Sequence, residues 1–98
     1  MTLKKMLAYL GEPYCTTQID GEDVVYRKLG DDFEFEVSGV CPGKSKYSLY
    51  VRQLHPHEEI VGIYHNIPGA EALKDLLGYC AVKYGNRLNR IQVEREET

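Results

Sequence analysis

Phe33-Glu34-Phe35-Glu36-Val37-Ser38-Gly39 alternates apolar and polar residues with a period of two. That is the pattern of a β-strand with one face buried and one face wet. Immediately upstream, Tyr14 to Ile19 and Glu22 to Leu29 flank Asp20 and Gly21, a pair suited to the two positive φ angles of a type I′ hairpin turn. Gly30 and Asp31 then read as a second two-residue loop, with glycine where a type II′ turn needs it. Together the two turns predict a register in which Arg27 lies opposite Glu34, Tyr26 opposite Phe35 and Val24 opposite Val37. Cys15, Thr17, Ile19, Val24, Tyr26, Phe33, Phe35 and Val37 would then face the core, with Tyr14, Val25, Arg27, Glu34 and Glu36 on the outer side. Val25 is the misfit, and a three-residue loop at either turn would bring it inward.

Downstream, Pro42 and Gly43 sit where a type II turn wants them, and Lys46 to Leu54 alternates again, with Tyr47, Leu49 and Val51 inward and Lys46, Ser48, Tyr50 and Arg52 outward. The connection His55 to Glu58 leads to a strand over about Glu59 to His65, in which both Ile60 with Tyr64 and Val61 with Ile63 could be buried, as in a strand covered on both sides. Leu3, Met6, Leu7 and Leu10 mark a short helix behind a Thr2 cap. Leu73, Leu76, Leu77, Cys80, Ala81 and Tyr84 mark a longer one that opens after Pro68-Gly69 and stops at Gly85. Alternation over Arg90 to Arg95 suggests one more strand. The expected fold is a single compact α+β domain over residues 1–98: an antiparallel meander of five or six strands, a short N-terminal helix, and a long C-terminal helix across the apolar face. The helix-strand-strand-strand-helix order resembles the topology of double-stranded RNA-binding domains. Their basic helix start has no counterpart in Pro68 to Asp75, so the likeness stops at topology.

Composition narrows the functions. The chain has 98 residues, 43% hydrophobic content and a formal net charge of −3, which argues against generic attraction to nucleic acid or anionic lipid. No apolar run is long enough to cross a membrane, and the N-terminus does not read as a signal peptide. Three unpatterned cysteines, Cys15, Cys41 and Cys80, fit a reducing compartment, so a cytoplasmic protein with free thiols is expected. Residues 11–40 carry eight acids and two bases, a net of −6. This asymmetry suggests mimicry of a phosphate backbone, with Asp20, Glu22, Asp23, Asp31 and Asp32 as its charges.

No catalytic constellation stands out, so the chain reads as a non-enzyme without a cofactor. Glu34 and Glu36 could work as an acid and base pair, but a solvated ladder with Arg27, Lys46 and Arg52 is the simpler reading. His55 and His57 could share a metal across Pro56, although Cys41 and His65 belong to the other end of the sheet. Tyr14 and Tyr50, beside Arg27 and Arg52, could stack single-stranded bases, with Glu34 and Glu36 opposing phosphate on that face. Topology gathers Asp31, Asp32, His55, His57, Glu58 and Glu59 near Lys83, Arg87 and Arg90 as a charged rim. The leading expectation is therefore a small protein-binding module acting through its sheet face or this rim, including an inhibitor of a nucleic-acid enzyme. Direct RNA or single-strand binding and a His55/His57 metal site are the alternatives, and an exposed edge strand leaves self-association open. The residues assigned to partner binding are Tyr14, Asp20, Glu22, Asp23, Asp31, Asp32, Tyr50, Arg52, His55, His57 and Glu58.

Overall fold

The computed structural model describes residues 1–96, with side chains described through Gly85. Its elements run α1 (Leu3–Leu10), β1 (Cys15–Ile19), β2 (Glu22–Leu29), β3 (Phe33–Ser38), β4 (Lys46–Gln53), β5 (Glu59–Pro68) and α2 (Ala70–Glu96). The five strands form one antiparallel sheet in sequence order, with β3 at its centre. The expected α+β meander with two helices is what the chain adopts.

Local chemistry explains most boundaries. The Thr2 side chain accepts a hydrogen bond from the Lys5 amide and caps α1. Asp20 and Gly21 both take positive φ, 51° and 80°, as the type I′ turn demands, and Ile19 pairs with Glu22 as expected. At the next turn the register differs from the prediction. Leu29 pairs with Phe33, so the loop is the three residues Gly30, Asp31 and Asp32, and Val25 lies opposite Val37. The slip of one residue turns Val25 and Arg27 to the helix side and puts Val24 and Tyr26 beside Glu34 and Glu36 on the other. Burial drives this choice, since Val25 joins the core with no exposed surface.

β4 follows its predicted alternation, with Leu49 opposite Val37 and Val51 opposite Phe35. β5 runs further than expected, to Pro68, and pairs with β4 through two irregularities. Tyr64 and Ile67 turn inward, whereas Ile60 and Ile63 are 47% and 53% exposed on the outer face of this edge strand. α2 lays Leu73, Leu77, Cys80 and Tyr84 on the sheet's inner face, and Lys74 ties it to α1 by donating to the Tyr9 carbonyl. Gly85 does not end α2, which continues to Glu96, so the expected strand over Arg90 to Arg95 is helical.

The inner face is closed by an aromatic wedge. Tyr84 packs against Phe33 and Phe35 at centroid separations of 5.4 and 6.3 Å, and its hydroxyl donates to the Val61 carbonyl. Gly62 makes room for it: a Cβ there would lie 2.7 Å from the Tyr84 hydroxyl oxygen and 3.2 Å from the Tyr64 ring. Gly62→Ala is expected to cost about 1–3 kcal/mol by overpacking, with part restored in the Gly62→Ala/Tyr84→Phe double variant. Urea unfolding measures both, and a neutral Gly62→Ala would contradict this packing.

Candidate functional site: a concave outer sheet face

A flat sheet of five strands would hold its edges about 19 Å apart at normal spacing. Here Ile19 at the tip of the β1–β2 hairpin and Ile60 on β5 line one concavity, of about 280 Å³, together with Asp20, Glu22, Val24, Glu36, Ser38, Tyr50 and Arg52. The outer face is therefore curled, consistent with the added twist that bulges impart along β4 and β5. The curl also explains why Val24 and Glu36 are only 4% and 7% exposed although they point away from the core.

The polar floor of the groove is unevenly paired. Glu34 receives two directed hydrogen bonds, from the Tyr26 hydroxyl at 2.7 Å and from Arg52 Nη1 at 3.2 Å. The same nitrogen sits 3.4 Å from Glu36 Oε1, but that oxygen is withheld from solvent and accepts no hydrogen bond. One guanidinium thus serves two carboxylates. Burial pushes the Glu36 carboxyl above the ordinary carboxylate range; Arg52 opposes the shift, while Glu34 and Asp20 add to it. The Tyr26 hydroxyl is pushed up to about 12 by burial and by its bond to Glu34.

The expected solvated ladder is thus corrected. Glu34 and Glu36 form a compact, partly desolvated cluster with Arg52, and Arg27 is not their partner. Arg27 lies on the helix side of the sheet, over the Tyr14 ring at 5.5 Å and donating to the Tyr14 hydroxyl. Tyr14 and Arg27 do not share the outer face with Tyr50 and Arg52.

A consequence for stability follows from Glu36. Its folded pKa lies above the unfolded value, so the folded state holds the proton longer. Glu36 therefore contributes stability below the ordinary carboxylate range, and that contribution is lost as pH rises through the raised folded value. Glu36→Gln removes this dependence. Its stability relative to wild type is expected to improve between about pH 4 and about pH 8, read from urea unfolding at both values. A flat or opposite trend contradicts the desolvated carboxyl.

The remaining sequence candidates fall elsewhere. Asp20, Glu22, Tyr50 and Arg52 line the groove, while Asp23 lies beside it in the hairpin, paired with Gln18. Asp31 and Asp32 belong to the turn at the far end of β2, where the Leu54 amide donates to the Asp32 carbonyl and so brings the His55–Glu58 loop alongside. His57 meets Glu59 at 3.3 Å, and Arg87 and Arg90 of the expected rim lie outside the described side chains. His65 is not near these histidines; it contacts Ser48 and Tyr50. Among the described residues no three His, Cys, Asp or Glu side chains converge as metal ligands. Cys80 is buried beside Tyr64, with its thiol pushed up by desolvation, whereas Cys15 is exposed and Cys41 partly so. No helix among the described residues is long and apolar enough to cross a membrane.

Comparisons with protein-family models, curated proteins and solved structures returned no match. The groove was missed from sequence because it depends on the curl between distant strands; its one local trace was Val25, whose misfit pointed to the register that places Val24 and Glu36 together.

Proposed function

We propose that this chain is a small, non-enzymatic protein-binding module that meets its partner with the curled outer face of its sheet. The observation that carries this reading is the groove itself, in which Asp20, Glu22 and Glu36 face a single Arg52 beside Ile19, Val24 and Ile60. Apolar surface with an uncompensated charge of one sign suits a macromolecular partner of the opposite sign. At about 280 Å³, the groove lies just below the roughly 300–1,000 Å³ usual for small-molecule sites. Exposed Ile60 and Ile63 extend the apolar surface along β5, as an interface would use it.

Acidic mimicry of a nucleic acid takes a narrower form than the composition suggested. Asp20, Glu22 and Asp23 gather at one end of β2, and Asp31 and Asp32 lie beyond the other. The hairpin end, which shares the groove, is the part that would enter a basic partner surface. Single-strand binding has less support, because its four stacking and basic residues are divided between two faces.

Affinity capture from lysate of the source organism, with nuclease treatment, tests the proposal. The expected result is one stoichiometric protein retained by wild type and by Tyr79→Ser on the exposed side of α2, and lost with Ile60→Asp. Recovery of nuclease-sensitive material alone would contradict it.

A further inference from the structure

We infer that the groove receives a single basic side chain, lysine or arginine, from an extended segment of the partner, with Glu36 as its counter-ion. This inference rests on the protein-binding reading and names the chemistry of its contact. Two independent observations meet at this place.

The first is shape and charge. The floor is polar at Glu36, Ser38 and Arg52, while Ile19, Val24, Tyr50 and Ile60 supply apolar walls. A cationic head on an alkyl stem matches that division, as long basic side chains bury their methylenes and keep their charge on a polar group. Asp20 and Glu22 stand at the hairpin end of the same groove and add attraction there.

The second is the state of Glu36. Its side chain is only 9% exposed, it lines the groove, and its Oε1 meets Arg52 Nη1 only at 3.4 Å, without a directed hydrogen bond. Arg52 Nη1 bonds Glu34 and lies 3.4 Å from Glu36 Oε1, so a single guanidinium is shared by two carboxylates and the trio keeps a net negative charge. Two partly desolvated carboxylates sharing one cation are unfavourable, and a second cation seated in the groove beside Glu36 relieves them. A partner segment, rather than a free amine, is the favoured source because the exposed isoleucines of β5 continue the contact beyond one side chain.

Affinity also depends on pH in a fixed direction. The groups bearing on Glu36 are Glu34 on its own strand, Arg52 from β4, and Asp20 from the hairpin tip, with Glu22 lining the same groove. Protonating Glu36 removes the counter-ion, so binding weakens as pH falls through its raised value.

The test uses three capped pentapeptides that differ only at the central residue, lysine, arginine or norleucine, titrated into the isotope-labelled 98-residue chain and followed by amide NMR shifts. Lysine and arginine peptides are expected to give saturable shifts clustered at Glu36, Ser38, Tyr50 and Ile60, and the uncharged norleucine peptide none. Glu36→Gln should weaken binding roughly ten- to hundredfold, the range of one hydrogen bond to a charged group, while its amide spectrum away from the groove stays that of the folded protein. Equal response to norleucine, shifts spread over Asp23, Asp31 and Asp32, or indifference to Glu36→Gln would overturn the inference. Capture of the natural partner separates the two readings: a partner lost with Ile60→Asp but unaffected by Glu36→Gln leaves the binding module standing and removes the basic side chain.

Discussion

Phe35→Ala is expected to destabilise the protein by about 3–5 kcal/mol, the usual cost of deleting a buried aromatic side chain. Phe35 sits on the central strand with no exposed surface, and its ring meets Tyr84 from α2 in an edge-on contact. Removing it opens a void between the sheet and the helix that the flanking residues cannot close, because Leu49, Val51 and Leu77 are themselves fully packed. Domains of this size are stable by about 5–15 kcal/mol, so a large share of the total is at stake. Urea unfolding should show a much lower midpoint, with Phe35→Leu losing clearly less. A loss below about 1 kcal/mol would mean that this ring is not at the centre of the core.

The second large effect belongs to the outer face. Arg52→Met leaves Glu34 and Glu36 close together without their shared cation. Breaking a buried ion pair from one side typically costs about 3–5 kcal/mol; with the Arg52 side chain 33% exposed, solvent screening reduces the expected loss at neutral pH to about 2–3 kcal/mol. Two checks separate charge from packing. The penalty should shrink toward low pH as the carboxyls protonate, and adding Glu36→Gln to Arg52→Met should recover part of it. An Arg52→Met penalty that is independent of pH and unrelieved by Glu36→Gln would assign Arg52 a packing role only.

Much of the architecture was written in short-range chemistry. Asp20-Gly21 and Pro42-Gly43 set two turns through the positive φ of Asp20, Gly21 and Gly43, and the leucine stripe from Leu73 to Tyr84 set the inner face of α2. Where local signals allowed two solutions, tertiary packing decided. Asp32 could end a turn or begin a strand, and burying Val25 settled the three-residue loop. Gly85 could cap α2 or lie inside it, and a glycine within a helix costs only about 1 kcal/mol, so the helix runs through it.

The site was less legible because no part of it is local. Its residues come from all five strands and the tip of the first hairpin, and what joins them is the curl of the sheet. Glu34 and Glu36 look alike in sequence, two apart on one face, yet one is well hydrogen-bonded and the other is not. That difference depends on which carboxylate the Arg52 guanidinium and the Tyr26 hydroxyl can reach, and the Tyr26 bond exists only in the β2–β3 register that turns Tyr26 to the outer face.

The most direct measurement of this account is the titration of the Glu36 side-chain carboxyl by carbon-detected NMR in the folded protein. A desolvated Glu36 at the floor of a curled groove should titrate above the ordinary glutamate value of about 4.3. A Glu36 midpoint at or below that value would place it on a solvated, open sheet face and remove both the groove and its binding role.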